Sequence, residues 1–299
     1  MEHFLRNIRD KGIPVFDKPL TIEKCIGEGG SGKVYRCLLD NVVVAAKCIK
    51  KYNEEYLTSQ IENITQEITL VYNLNTKRIV KPKGVCVKDD DIYIIMEYLM
   101  YGDLNDYFER KNTGVKTLKQ YINMFKSITH SIVDLHKNNI VHGDLKPGNL
   151  AYYYDIQKTG AKHKKYIKVF DFNLSTKFNS KDKYIAGWKG TFGYCAPEQH
   201  KNKLHRNSDV YSLGVIFLEY LLERYLWDVS GWFSYKISRK ETMECLKYYR
   251  ELHNESDTEY YKQHYNKDLY KIIKKCLCLD PDNRFSSKQL LEELKKINI

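Results

Sequence analysis

Residues 27–34 read GEGGSGKV, and they constrain the fold most because two different phosphate-binding loops share this pattern. Both glycines and the lysine of a Walker A loop, G-x-x-x-x-G-K-[ST], are present. A glycine-rich flap of the form G-x-G-x-x-G-x-V fits as well, with its three glycines and its valine in place. Position 34 separates the two patterns, because a Walker A loop needs a hydroxyl there for Mg²⁺ and Val34 has none.

The residues that follow this loop also favour the flap. A Walker A loop must open a helix whose amino end faces the phosphates. Residues 35–50 instead read YRCLLDNVVVAAKCIK, a β-branched run interrupted by the turn-favouring pair Asp40 and Asn41. This pattern predicts a strand, a turn and a second strand. We therefore expect a glycine-rich flap within a β-sheet.

An amphipathic helix is predicted after these strands, because apolar residues recur at three- and four-residue spacing. The apolar positions are Leu57, Ile61, Ile64, Ile68, Val71 and Leu74. Glu67 lies on or beside this apolar face, where an acid is costly unless it is paired. Lys47, at the end of the preceding strand, is the obvious partner. Each charge alone would suit the surface, but their order and spacing predict an ion pair that holds a phosphate.

The pattern changes from strand to helix near residues 97–99, and we place a boundary between two lobes there. A long helix is predicted to begin after Thr117, a residue type that caps helices, and to end at residues 137–139. A further apolar run, Val210–Leu222, is 13 residues long. This run is too short to span a bilayer and predicts a buried core helix.

The segment HGDLKPGNL, residues 142–150, places three chemically useful side chains on one short loop. Phosphoryl transfer needs a positioned acceptor, charge neutralisation and metal ions that bridge the phosphates. Asp144 can orient an attacking hydroxyl and accept its proton, and Lys146 can contact the moving phosphoryl group. Asn149 can ligate Mg²⁺ through its amide oxygen. A predicted apolar strand further along the chain ends at Asp171, a second oxygen ligand.

Together these motifs resemble the catalytic domain of eukaryotic-type protein kinases, from about residue 20 onward. The resemblance implies a catalytic role for Asp144, Lys146, Lys47 and Glu67. It implies that Asn149 and Asp171 ligate Mg²⁺, or alternatively Mn²⁺. Met96 matches the gatekeeper position of the family. The residues that it assigns to ATP binding are Ile26, Gly27, Glu28, Gly29, Gly30, Ser31, Gly32, Lys33, Val34, Lys47, Glu97, Leu99 and Asp103.

The resemblance extends through the second half of the chain. GTFGYCAPEQ resembles the end of a kinase activation segment, and the family pairs the acid of its A-P-E, here Glu198, with the residue that matches Arg284. Asp209 matches the residue that anchors the catalytic loop from a central buried helix. Lys146 and Thr191 resemble serine/threonine kinases, so protein serine and threonine hydroxyls are the expected acceptors.

The fold implied by the resemblance is α+β and bilobal. A small antiparallel β-sheet lobe with one helix is expected over about residues 21–97. A larger, mainly helical lobe is expected over about residues 98–299. Residues 1–20 are interpreted as an N-terminal extension of the kinase domain, 21–299.

Two departures from the family pattern keep alternatives open. Gly143 stands where the family has the Arg of H-R-D, which resembles the non-RD kinases, and Asn173 replaces the Gly of D-F-G. H-G-D also occurs in aminoglycoside and choline kinases, but those small-molecule phosphotransferases lack the A-P-E segment and Arg284. The other alternative is a weak or inactive pseudokinase that acts as a scaffold. Neither changed position contacts the reacting groups, so an active protein kinase is favoured.

Composition bounds the partners and the compartment. The formal net charge of +11 comes without a dense basic arm, which favours a diffusely charged surface over a specific nucleic-acid partner. The basic insert at residues 155–166 is interpreted as a hairpin tip in preference to a docking or nuclear-import patch. The eight cysteines show no C-x-x-C pair and suit an intracellular protein, cytoplasmic or nuclear. The first residues contain no apolar segment of the signal-peptide type, so no signal peptide is expected. We also expect no membrane span. The expected partners are ATP and a protein substrate, and the chain is expected to be a monomer.

Overall fold

The computed structural model describes residues 1–29, 32–50, 54–106, 117–155, 164–179, 181–187, 190–222 and 266–297. The chain divides into two compact units. The first contains Met1–Gly102 and Phe170–Asn173, and the second contains Asp103–Val169 and Leu174–Ile299. Across the described ranges, none of the helices is both long and apolar enough to cross a membrane.

The first unit is built on a six-stranded sheet in the order β1-β5-β6-β4-β3-β2. Its elements are α1 (Glu2–Asp10), β1 (Val15–Phe16), β2 (Leu20–Gly29), β3 (Gly32–Leu39), β4 (Val42–Ile49), α2 (Glu54–Tyr72), β5 (Pro82–Lys88) and β6 (Asp91–Glu97). The neighbours from β5 to β2 pair antiparallel, whereas β1 pairs parallel with β5. This arrangement confirms the predicted small β-sheet lobe and its α2 helix. Residues 1–20, interpreted as an extension, lie inside this unit.

The hairpin of β3 and β4 shows how the local sequence sets the sheet. Asp40 and Asn41 join the strands with φ angles of 51° and 64°. Asp and Asn tolerate this left-handed backbone better than most residues, and such a turn matches the twist of paired strands. The predicted strand, turn and strand are therefore confirmed.

The second unit is mainly helical. Its elements are α3 (Leu118–His136), β7 (Ile140–Val141), β8 (Leu150–Asp155), β9 (Lys164–Val169), β10 (Thr176–Lys177), β11 (Tyr184–Ala186), β12 (Lys203–His205), α4 (Ser208–Leu222), α5 (Lys267–Cys276) and α6 (Ser287–Lys296). The strands form three two-stranded antiparallel sheets, in which β7 pairs with β10, β8 with β9 and β11 with β12.

The core of the second unit forms around α3 and α4. Thr117 accepts a hydrogen bond from the Gln120 amide in a capping box, which confirms the predicted start of α3. Phe125 of α3 stacks on Phe217 of α4 with ring centroids 4.0 Å apart. Both phenylalanines are fully buried, and α4 is the buried core helix that its apolar run predicts.

Two further expectations concern parts of the chain that the structure describes only in part. Strands β8 and β9 form the stem of the expected hairpin, while its tip, residues 156–163, lies outside the described residues. The seven cysteines within the described part of the chain are free thiols, as expected, and Cys245 lies outside it.

Candidate active site

The glycine-rich flap joins β2 and β3. In its register Gly27 lies opposite Val34 and Glu28 opposite Lys33, with an exposed ion pair of 3.1 Å between the two charged side chains. Gly32 has a φ of 124°, and a Cβ there would lie 2.5 Å from the Cys48 carbonyl oxygen. This glycine is therefore required for β3 to approach β4.

The other flap residues lie along the same hairpin. Ile26 is 38% exposed on β2, and Gly29 lies opposite Gly32 at the end of the strand. The predicted ATP-binding residues Gly30 and Ser31 lie outside the described residues.

Lys47 forms the central ion pair of the first unit. Its Nζ lies 2.9 Å and 3.1 Å from the two carboxylate oxygens of Glu67 on α2, so the predicted pair is present. The same Nζ lies 3.4 Å from Oδ1 of Asp171. Burial alone would lower the pKa of Lys47, but the two carboxylates outweigh it and raise the pKa above its ordinary value. The buried lysine is therefore held protonated.

The Asp-Phe-Asn segment carries an unusual backbone conformation at its first residue. Asp171 has a φ of 61°, whereas Asn173 is not among the residues with positive φ. The replacement of glycine by Asn173 therefore introduces no left-handed strain in this arrangement. Phe172 is buried, and the Asp171 side chain is 32% exposed. Its Oδ1 pairs with Lys47, and its Oδ2 makes no hydrogen bond or ion pair within the described part of the chain.

The predicted hinge residues lie at the end of β6 and just after it. Met96 packs against the buried core of the unit, and Glu97 ends the strand opposite Val44. The Leu99 carbonyl oxygen accepts a hydrogen bond of 3.2 Å from the Gly102 amide, which closes a turn. Glu97 and Leu99 thus lie where β6 passes into a turn, and backbone groups in such a connection can meet a ligand.

Asp103 begins the second unit. Its Oδ1 accepts a hydrogen bond of 2.9 Å from the Asp106 amide, and this bond caps the helical segment that begins at Leu104. A Cβ added to Gly148 would lie 3.7 Å from Asp103 Oδ2, so the predicted ribose-binding residue borders the catalytic loop.

Asp144 is the centre of a compact polar network in the second unit. Its Oδ1 accepts a hydrogen bond of 2.6 Å from the Thr191 hydroxyl, and its Oδ2 lies 3.1 Å from Lys146 Nζ. Lys146 also donates to the Thr191 hydroxyl at 2.7 Å. The Asp144 side chain is 9% exposed, so a mostly buried carboxylate is compensated by one cation and one hydroxyl. The structure thus brings three predicted residues together.

Asn149 completes this network and has the chemistry of a metal ligand. Its amide nitrogen donates to the Asp144 carbonyl oxygen at 2.8 Å and to Oδ2 at 3.3 Å. Asn149 is 4% exposed, and its amide oxygen accepts no hydrogen bond among the described residues. A buried, unsatisfied oxygen of this kind fits the hard-oxygen preference of Mg²⁺.

Asp209, at the start of α4, fixes the backbone of the catalytic loop. Its carboxylate accepts hydrogen bonds from the His142 amide at 2.8 Å and the Gly143 amide at 2.9 Å. His136 Nε2 lies 2.8 Å from the same carboxylate. Gly143 has a φ of 78°, a conformation that glycine adopts without strain. The predicted anchoring residue is therefore in contact with the loop.

The predicted pair of Glu198 and Arg284 is also present. The guanidinium donates to the two carboxylate oxygens at 2.6 Å and 2.7 Å. The Ser208 hydroxyl donates to Glu198 at 2.7 Å, and Arg284 donates to the Cys278 carbonyl oxygen at 2.7 Å. Both partners are almost fully buried, so this bidentate pair joins distant segments of the second unit.

Gln199 is a site residue that sequence reasoning missed. Its Nε2 donates to the Gly143 carbonyl oxygen at 2.9 Å, and its Oε1 accepts from the Ala196 amide at 2.7 Å. Gln199 is 1% exposed. The side chain connects the A-P-E segment to the catalytic loop. Its only signal in the sequence is a position directly after Glu198.

Comparisons with known proteins give sequence matches over most of the chain. A family model described as "Protein kinase domain" matches residues 20–294. Mitogen-activated protein kinase kinase kinase 11 of Homo sapiens is 30% identical over 206 residues, which cover 68% of this chain and 24% of that protein. A probable serine/threonine-protein kinase of Clostridium perfringens is 28% identical over 282 residues, 92% of this chain and 37% of that protein.

A plant relative is similar over a comparable share of the chain. A putative leucine-rich repeat receptor-like serine/threonine-protein kinase of Arabidopsis thaliana is 30% identical over 203 residues. The match covers 66% of this chain and 22% of the relative. The chain thus spans about a quarter of the plant and human proteins that it matches.

Proposed function

The chain belongs to the protein kinase domain family, and from that premise we propose that it transfers the γ-phosphoryl group of ATP to serine and threonine hydroxyls of proteins. The network of Asp144, Lys146 and Thr191 carries this proposal. The Asp144 carboxylate would accept a proton from an attacking hydroxyl, and the Lys146 ammonium would neutralise charge on the moving phosphoryl group. The names of the plant and Clostridium relatives, both serine/threonine-protein kinases, support the choice of serine and threonine.

The first unit would hold the nucleotide. Lys47 is protonated and buried, and it would contact the α- and β-phosphates while Glu67 fixes its orientation. The glycine-rich flap offers backbone amides, and residues 97–99 offer backbone groups to the adenine. These roles are predictions that follow from the position of each residue in its own unit.

Mg²⁺ would neutralise the phosphate charge and orient the transferred group. Asn149 in the second unit and Asp171 in the first would each offer a side-chain oxygen, the ligand type that this cation prefers. Asn149 is held in place by two hydrogen bonds that its side-chain amide nitrogen donates to Asp144. The oxygen of Asn149 is thereby turned away from Asp144.

A transfer assay with three acceptors tests the proposal. Purified chain would receive labelled ATP with Mg²⁺ or Mn²⁺, and a generic basic protein, a tyrosine copolymer and an aminoglycoside as parallel acceptors. We expect label on serine and threonine of the basic protein, and none on the aminoglycoside. Label on the aminoglycoside alone would support a small-molecule phosphotransferase. No transfer with either metal ion would support the pseudokinase scaffold.

A further inference from the structure

Residues 1–16 belong to the buried core of the first unit, although they precede the segment that the family model matches. Phe4 is 1% exposed and Ile8 is 0% exposed, and both lie one turn apart on the inner face of α1. They pack in one cluster with residues of α2 and the sheet. The other buried members are Ile13, Ile49, Ile64, Ile68, Val85, Ile92 and Ile94.

Polar contacts attach the same segment on two sides. On the sheet side, β1 pairs parallel with β5, and the Val85 amide donates to the Pro14 carbonyl oxygen at 2.9 Å. A Cβ at Gly84 would lie 2.4 Å from that oxygen, so a glycine is needed for this close approach. On the helix side, the Tyr72 hydroxyl at the end of α2 donates to the Gly12 carbonyl oxygen at 3.2 Å.

The buried residues that α2 contributes to this cluster lie next to the ion-pairing residue. Ile64 and Ile68 are the buried α2 members of the cluster, and Glu67 lies between them in sequence. A rotation or shift of α2 that followed the loss of its packing partner would therefore move Glu67 away from Lys47. Packed helices shift between discrete arrangements because their side chains interdigitate.

We propose that residues 1–16 are a positioning element that holds α2 in the orientation at which Glu67 contacts Lys47. This inference rests on the proposed function, since it assigns that pair to ATP. Phe4, Ile8 and Tyr72 act through α2 and contact neither nucleotide nor acceptor. The segment thereby supplies, from within the chain, the contact surface that α2 needs to keep the lysine oriented.

The test is a full-chain double variant, Phe4→Ala with Ile8→Ala, assayed well below its melting temperature. We expect KM for ATP to rise about tenfold, equal to about 1.4 kcal/mol of lost ATP binding, with the KM for the protein acceptor unchanged. Arg6→Ala with Arg9→Ala is the matched control, because both arginines are exposed on the same helix. The control should behave as wild type.

A double-mutant cycle with Glu67→Gln separates positioning from loss of folded protein. In the wild-type background Glu67→Gln should weaken ATP binding strongly, but in the Phe4 and Ile8 double variant it should add little. If α1 only stabilised the fold, the active fraction would fall, KM for ATP would stay constant and Glu67→Gln would keep its full cost. That result would overturn the inference.

Two milder variants keep the test decisive if the double variant does not fold. Tyr72→Phe removes only the hydroxyl bond to Gly12, and Ile8→Val removes one methylene from the cluster. Each should raise KM for ATP in a folded protein, and unchanged KM values in both would count against positioning. ATP affinity is also measured directly with a fluorescent nucleotide. A wild-type chain that neither binds nor transfers would reject the proposed function, whereas an active wild type with unaffected variants would reject only this inference.

Discussion

At the scale of single residues, Asp144 is the side chain on which the proposed transfer depends most. Asp144→Asn keeps the size of the side chain and its bond from Thr191 but removes the proton acceptor. We expect the transfer rate to fall by about 10² to 10⁴, the usual range for loss of a general base. Labelled ATP and the basic protein provide the measurement. Asp268→Asn, an exposed carboxylate on α5, is the control, and near-normal turnover of Asp144→Asn would remove the catalytic assignment.

Lys47→Met should abolish most ATP binding without unfolding the chain. The change removes the only cation within reach of Glu67 among the described residues. Burial raises the pKa of Glu67 above its ordinary value, so this carboxyl can take up a proton once its partner is lost. We therefore expect a near-normal melting temperature and a large loss of nucleotide affinity, measured with a fluorescent ATP analogue. Normal affinity in the folded variant would contradict the role of Lys47.

Glu198→Ala or Arg284→Ala should destabilise the second unit. Removing one member of a buried ion pair leaves an uncompensated charge, at a cost of roughly 3–5 kcal/mol. The Arg284 side chain is 0% exposed and that of Glu198 is 7% exposed, so solvent cannot replace either partner. Thermal and urea denaturation measure the loss. Unchanged melting temperatures in both variants would show that the pair does not stabilise the unit.

At the scale of elements, the part of the activation segment that precedes GTFGYCAPEQ contacts the rest of the second unit through Arg206 and two short strand pairs. Arg206 donates to the Asn139 side chain at 2.9 Å and to the Asn179 carbonyl oxygen, and its guanidinium lies 4.9 Å from the centre of the Phe178 ring. Strand β10 pairs with β7, and β11 pairs with β12. An arginine outside the catalytic loop therefore makes ordering contacts that Gly143 cannot make.

We expect phosphatase-treated protein to keep most of its activity. Ser175 and Thr176 are buried, and Ser175 donates to the His142 carbonyl oxygen at 3.0 Å, so neither hydroxyl is presented to a kinase in this arrangement. Arg206→Ala removes the contacts that order this segment, so it should lower kcat in the same transfer assay. Lys201→Ala, an exposed change, is the control. A large loss on dephosphorylation, restored by autophosphorylation, would contradict this prediction.

Helices and strands with a long periodic signal could be predicted from the sequence, and short ones could not. Helix α2 and the hairpin of β3 and β4 carry their own apolar period or turn residues, so local physics suffices. Helix α1 spans only nine residues, and its Phe4 and Ile8 are buried against strands that lie far from them in the sequence. Short helices are stabilised chiefly by tertiary packing, which a local pattern does not reveal.

At the scale of the whole molecule, the candidate site was predictable where its residues share one loop or belong to a recognised pair. Asp144, Lys146 and Asn149 are neighbours in sequence, and their chemistry is evident from residue type. The contacts of Gln199 and Arg206 join segments far apart in the chain, to Gly143 and to Asn139 respectively. Such contacts depend on tertiary geometry, and neither residue type nor spacing in the sequence predicts them.

One buried carboxylate links three parts of the second unit, and its ionisation should affect the stability of the chain. Burial alone would raise the pKa of Asp209, but the hydrogen bonds from His136 and from the loop amides lower it below its ordinary value. A carboxyl group with a lowered folded-state pKa stabilises the fold above its unfolded pKa, about 3.9 for Asp. This contribution is lost as the pH falls through the folded-state pKa.

Asp209→Asn should therefore make the chain less sensitive to acid while lowering its stability at neutral pH. The asparagine keeps one acceptor oxygen for the loop amides but cannot hold a charge beside His136. Urea denaturation would be measured at pH 7 and at about pH 3, below the ordinary Asp pKa. Wild type should lose more stability between these two conditions than Asp209→Asn, and Asp268→Asn should follow wild type because that carboxylate is exposed. Equal acid losses in wild type and Asp209→Asn would show that this anchor does not set the pH dependence, and that the catalytic loop is held by other contacts.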